Sequence, residues 1–84
     1  MRFKVRKEFV EVAGLNDGIY FAEDNNLNLR IVGKQKRDGL IPIMIKREGS
    51  NYIFDIPDAI VQKLKHREGS EIDFVPEYNA IYVL

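Results

Sequence analysis

The chain has no cysteine, no threonine and a single histidine, His66, among its 84 residues. Without cysteine it forms no disulfide and offers no thiolate to a metal. One histidine excludes a histidine-cluster metal centre. The only serines, Ser50 and Ser70, each stand beside a glycine in turn-like sequence, so no nucleophile–base pair suggests itself. No glycine-rich phosphate loop and no metal-ligand spacing is present either. Neither catalysis nor a cofactor is expected. No apolar run nears the length of about 18 residues that would span a membrane. The opening Met1-Arg2-Phe3-Lys4 lacks the apolar stretch of a signal peptide, and a cytoplasmic protein is expected.

Excess charge of one sign is also missing. Thirteen Lys/Arg balance thirteen Asp/Glu, which excludes a strongly cationic nucleic-acid binder. The balance hides an asymmetry. Residues 1–48 carry ten Lys/Arg against seven Asp/Glu, a net of +3, and residues 49–84 carry three against six, a net of −3. The cations cluster at Arg2, Lys4, Arg6 and Lys7, at Lys34, Lys36 and Arg37, and at Lys46 and Arg47. Gathered on one face, they would attract phosphate whatever the total; spread apart, they are an ordinary solvated surface.

What is abundant is β-type patterning. Phe3 to Val12 is rich in strand formers, with a change of parity between Phe9 and Val10 that predicts a bulge or a change of buried face. Asn16-Asp17-Gly18 predicts a hairpin turn, with Ile19–Ala22 returning. Asp24-Asn25-Asn26 is a second turn. Leu27, Leu29 and Ile31 alternate with polar residues as in a half-buried strand. Residues 33–39 form a basic loop. Ile41, Ile43 and Ile45 alternate, with Pro42 marking a strand start or edge. A turn over 48–51 leads to Tyr52, Phe54 and Ile56 on one parity. The period then changes. Pro57 suits a first helical turn, Asp58 its positive end, and Ile60 and Leu64 supply an apolar stripe. Lys63, Lys65, His66 and Arg67 are expected near the last carbonyls. Strands at Ile72–Phe74 and Ala80–Leu84 close the chain. The halves echo each other faintly, but residues 1–40 offer no helix to match 57–66, and no repeat is read.

Residues 41–84 resemble the AbrB/MazE/SpoVT family of swapped-hairpin DNA-binding domains. The resemblance rests on Tyr52-Ile53-Phe54-Asp55-Ile56-Pro57, on Ile60 and Leu64, on Glu68-Gly69-Ser70-Glu71-Ile72-Asp73-Phe74, and on Ala80-Ile81-Tyr82-Val83-Leu84. It implies a strand-strand-helix-strand-strand unit that cannot close a barrel alone and pairs with a second copy, leaving no open sheet edge. Size points the same way. An 84-residue chain buries only roughly 60–65% of its unfolded surface, and oligomerisation is the stabilising device left open. A homodimer is expected. The fold class read from the chain is mainly β with one short helix, a swapped-hairpin (AbrB-like) or related cradle-loop β-barrel. Residues 1–84 form one domain, with 1–40 an additional β-hairpin region. That region either decorates a swapped dimer or supplies the other half of a barrel within one chain.

The resemblance implies a transcription regulator or an antitoxin, with DNA contacts from basic residues before the Ile-Pro step and from the helix. Several positions depart from that pattern. Ile53 stands where Arg or Gln is frequent, Val61 where a basic residue is frequent, and Asp55 where Thr or Val is usual; Gly49 lies further before Pro57. Contacts to duplex DNA are therefore expected from Lys46 and Arg47, or from Lys34, Lys36 and Arg37. Tyr52, Phe54, Tyr20 and Phe21 are expected to pack rather than stack on bases, and Asp55 and Asp58 to mark a helix start rather than an acid–base pair. The leading functional expectation is a small dimeric DNA-binding regulator working mainly through phosphate contacts. The alternative is a related barrel that has lost DNA binding and serves protein–protein interaction or assembly. Family antitoxins usually carry a partner-binding tail after the barrel, and Leu84 falls on the last strand, so an antitoxin ranks below both.

Overall fold

A computed structural model describes residues 1–69 and 71–84. Ser70, read above as part of a turn, lies outside the described residues. The elements are β1 (Arg2–Arg6), α1 (Lys7–Val12), β2 (Gly18–Asp24), β3 (Leu29–Gly33), β4 (Ile41–Glu48), β5 (Asn51–Asp55), α2 (Asp58–Leu64), β6 (Ile72–Val75) and β7 (Ala80–Val83). Seven strands form one antiparallel sheet in the order β1-β5-β4-β2-β3-β7-β6. It curls until its two edges, β1 and β6, face each other across a seam. The protein is thus a small, nearly closed β-barrel. No helix among the described residues is long and apolar enough to cross a membrane.

Strand alternation builds the interior. Phe3 and Val5, Tyr20 and Ala22, Leu29 and Ile31, Ile43 and Ile45, Tyr52 and Phe54, Phe74, Ile81 and Val83 all point inward and are buried. Phe54 and Phe74 meet edge-on with ring centroids 5.3 Å apart, a favoured aromatic geometry. The helices cover the barrel with Val10 from α1 and with Val61 and Leu64 from α2.

The sequence leads to one helix, and the described residues form two. The parity change at Phe9–Val10 is a turn of α1, not a bulge. Its end is a Schellman motif: the N–H of Gly14 donates to Glu11 O at 3.0 Å, and the N–H of Leu15 donates to Val10 O at 3.0 Å. Gly14 takes φ +76°, where an L side chain is strained. Leu15 and Val10 are both buried beside that turn. Asn16-Asp17-Gly18 consequently joins α1 to β2 and makes no hairpin, and β1 pairs with β5 instead of with β2. Leu27 is exposed because the turn after β2 runs on to Asn28, with the N–H of Asn25 donating to Asn28 O at 3.0 Å and Asn26 at φ +71°. In α2 the buried stripe is Val61 and Leu64, with Ile60 at its margin. That helix ends at Leu64 and Lys65 is already extended, so His66 and Arg67 fall outside it. Phe21 points to the face opposite Tyr20 and is only half-buried.

With α1 present, the echo between halves becomes a structural repeat. The order β1-α1-β2-β3 matches β5-α2-β6-β7, with Val10 and Val61 as the buried helix residues and Asn26 and Asn79 as left-handed turn residues. Like pairs with like: β1 lies against β5 with Lys4 opposite Ile53, and β3 lies against β7 with Leu29 opposite Ile81. These two antiparallel seams place an approximate two-fold axis across the barrel. Residues 1–33 thus supply the strands that flank the β4–β5 hairpin within the same chain.

The repeat is tied to its neighbour by polar contacts. Asp24 accepts hydrogen bonds from Lys63 Nζ and from the N–H of Asn26. The Lys63 ammonium first, and the Asn26 amide second, hold the Asp24 carboxyl below its ordinary pKa. A carboxyl with a depressed folded pKa adds stability above the ordinary carboxylate range and loses it as pH falls through the folded value. Asp24→Asn keeps the Oδ1 acceptor for Asn26 and removes the charge. It is expected to cost about 0.2–1 kcal/mol at pH 7, with the deficit closing as pH is lowered through the Asp24 titration. Urea denaturation of both proteins across that pH range checks this.

Candidate functional site

The five cations singled out by the sequence fall in three places. Lys46 lies on the outer face of β4. Lys34 and Arg47 both reach the Asn16–Gly18 segment at the start of β2. Lys34 Nζ donates to Asn16 Oδ1 at 3.5 Å and stands 5.2 Å from the Tyr20 ring centroid. The backbone N–H of Arg47 donates to Asp17 Oδ1 at 2.9 Å, and its Nε donates to Gly49 O at 3.2 Å. Tyr20 holds this segment in turn, its hydroxyl accepting from the N–H of Asn16 and donating to Asn16 Oδ1, both at 3.1 Å. Lys36 and Arg37 project from the 33–39 loop, exposed and without a side-chain partner among the described residues.

A different set of cations meets on one surface. Arg2, Lys4 and Arg6 alternate with the buried Phe3 and Val5, so all three point outward from β1. Register puts Lys4 opposite Ile53, and Ile53 opposite Lys46. Lys4 and Lys46 therefore flank Ile53 with their Cα atoms about 10 Å apart, two strand spacings. The signal for this set is the strict period-two spacing of Arg2, Lys4 and Arg6. It becomes visible only once β1 is known to lie two strands from β4.

Carboxylates moderate the face. Asp55 takes the amino group of Met1 at 3.3 Å and Arg2 Nε at 3.8 Å, and Asp58 takes the Met1 amino group at 2.7 Å. The Asp58 hydrogen bond, partly opposed by burial and aided by Asp55, raises the pKa of that amino group. Arg6 Nε lies 3.5 Å from Glu8, and Glu48 shares the outer face of β4 with Lys46. Lys4 and Lys46 make no ion pair among the described residues. Beside the cations lies an apolar strip. Ile19 and Met44 sit opposite each other on β2 and β4, each about half exposed at 50% and 49%, with Ile53 on the next strand.

The positions that depart from the family pattern separate here. Ile53 and Asp55 face outward on this surface. Val61 is 1% exposed and packs into the core. A base at that position would point into hydrocarbon rather than toward a ligand.

No known family model, curated protein or solved structure matches this chain.

The burial contrast is measurable. Val61→Arg is expected to cost more than about 3 kcal/mol, because it strands a charge in the core. Ile53→Arg is expected to stay within about 1 kcal/mol, as outward substitutions do. Urea denaturation at pH 7 reads both. A stable Val61→Arg protein would mean that α2 does not seat Val61 as described.

Proposed function

We propose that this barrel is a small DNA-binding regulator of the AbrB-like type, holding duplex DNA mainly through phosphate contacts. The observation that carries this reading is the joint placement of Arg2, Lys4, Arg6 and Lys46 on the outer face of β1, β5 and β4. The strand-strand-helix-strand-strand order of residues 41–83 supports the family ancestry. So does the pairing of like strands about an axis, which this chain achieves with its own two halves where the family uses two subunits. Lys34, Lys36, Arg37 and Arg47 lie outside that set, and would add contacts only where a duplex extends beyond that face of β1, β5 and β4. The size argument for a homodimer weakens in a chain that pairs seven of its own strands, so one chain per binding event is the simplest stoichiometry.

Four phosphate contacts give log K a slope of about −3.6 against log salt. Fluorescence anisotropy of a labelled duplex between 50 and 200 mM salt, the range over which such contacts are felt, reads that slope. Lys4→Ala with Lys46→Ala is expected to reduce its magnitude by about 2. Absence of saturable binding at the low-salt end removes the reading.

A second reading, a related barrel serving protein–protein interaction or assembly, is favoured by the exposed Ile19–Met44 pair. Apolar side chains gathered amid charges suit a protein partner better than a phosphate backbone. A solution mass of two chains that returns to one in an Ile19→Glu, Met44→Glu protein would support it over DNA binding.

A further inference from the structure

The two-fold repeat is incomplete in one respect. It relates β1 to β5, β2 to β6 and β3 to β7, and among the described residues leaves β4 without a counterpart. Since β4 lies between β5 and β2, its counterpart belongs between β1 and β6. That place is the seam.

The backbone at the seam has the matching polarity. Neighbouring strands all run antiparallel, so in a row of seven the two edge strands run the same way. One added strand running opposite to both would be antiparallel on each side. Hydrogen-bond parity agrees. Met1 O accepts from the N–H of Ile56, and the N–H of Lys7 donates to Ser50 O, so β1 bonds to β5 through Met1, Phe3, Val5 and Lys7. Arg2, Lys4 and Arg6 therefore turn their N–H and C=O groups to the seam. On β6, the N–H of Leu84 donates to Glu71 O, so bonding to β7 falls to Glu71, Asp73 and Val75, and Ile72 and Phe74 turn theirs to the seam. The residues thus freed face outward on β1 and inward on β6. A single strand bonds its outward residues to one neighbour and its inward residues to the other, so one strand satisfies both edges. β1 and β6 share no ladder, and few of their Cα atoms approach within 8 Å, wider than the single spacing of about 5 Å between paired strands. The gap holds two clefts of about 340 and 140 Å³.

Side chains select the occupant. The seam is apolar on its inner side, with Phe3, Val5, Ile72 and Phe74, and Phe9 stands 43% exposed beside it. On the outer side, Arg2 and Glu71 line the first cleft and Arg6 and Asp73 the second, while Arg2 and Arg6 make their ion pairs with Asp55 and Glu8. Lys4, level with Ile72 in both clefts, has no carboxylate partner among the described residues. A second copy docking by its own β1 would set Arg2, Lys4 and Arg6 against themselves, an unfavourable pairing.

We propose that the seam between β1 and β6 binds one extended segment of a partner protein as an eighth, antiparallel strand, with apolar residues at alternate inward positions and an acidic residue facing Lys4. This is strand addition at exposed sheet edges, and it stands whether or not duplex DNA binds the outer face.

The probe is a labelled peptide, Val-Thr-Val-Glu-Val-Thr-Val between Gly-Ser tails, with the full chain as receptor. Amide hydrogen exchange is expected to slow at Arg2, Lys4, Arg6, Ile72 and Phe74 on binding and to stay unchanged at Phe3 and Val5. By anisotropy, a peptide of the same composition without alternation is expected to bind at least tenfold more weakly. Lys in place of the central Glu is expected to weaken binding about two- to fivefold, the size of an exposed ion pair. Lys4→Glu is expected to reverse that preference. Lys4→Pro removes a seam-facing donor at an edge strand that tolerates proline, and is expected to weaken binding at least tenfold with Phe3 and Val5 still protected. If Lys4→Pro does not fold, the exchange pattern and the Lys4→Glu reversal decide. Exchange unchanged at both edges, or equal binding of the unalternated peptide, overturns strand addition. An unreversed preference in Lys4→Glu overturns the acidic occupant.

Discussion

Antiparallel pairing of equivalent strands, β1 with β5 and β3 with β7, is the constraint from which the barrel follows. Each pairing sets two copies of a β-α-β-β unit face to face, and neither unit can bury its apolar side without the other. Once Phe3 and Val5 lie opposite Phe54 and Tyr52, and Leu29 opposite Ile81, their inward side chains share one interior. Val10 and Val61 then close that interior from equivalent helices. β4 lies between the two copies in sequence and has no counterpart among the described residues, so the sheet stands one strand short of closure.

The same pairing distributes the charge. Putting β1 beside β5 brings Arg2, Lys4 and Arg6 to the surface that carries Lys46, and draws Asp55 and Asp58 toward the start of the chain. Pairing of β2 with β3 and β4, by contrast, puts Lys34 and Arg47 at the Asn16–Gly18 segment, where both hold the loop. A cation's sequence neighbours therefore say little about its surface neighbours here. The face that carries Arg2, Lys4, Arg6 and Lys46 is assembled from strands far apart in the chain. The seam, the other surface of interest, exists only because the repeat is uneven.

Much of the β architecture was legible because a half-buried strand writes its two faces into alternate residues. Ile41–Ile45, Tyr52–Ile56, Ile72–Phe74 and the turns at Asp24–Asn26 and Glu48–Asn51 carry that signal, and Gly49 at φ +61° opens the two-residue turn between β4 and β5. Helix α1 was obscured because it is one and a half turns long and rich in Val and Phe, whose preferences favour strands. Its end was nonetheless marked, since Gly14-Leu15 after an apolar residue is a C-terminal stop. Without α1, Asn16-Asp17-Gly18 has the pattern of a hairpin turn and the two halves show no repeat.

The mainly β character, the inward and outward parity of most strands, the Pro57-led helix and the absence of thiol chemistry can be read from the residues alone. These are local matters: a residue's neighbours two or four positions away decide them. Which strand pairs with which, that residues 1–33 mirror residues 51–83, which cations share a face, and that one strand's place lies open emerge only in the folded chain. Those properties depend on backbone hydrogen bonds between segments some fifty residues apart, and no local pattern of side chains specifies the partner at the other end of such a bond.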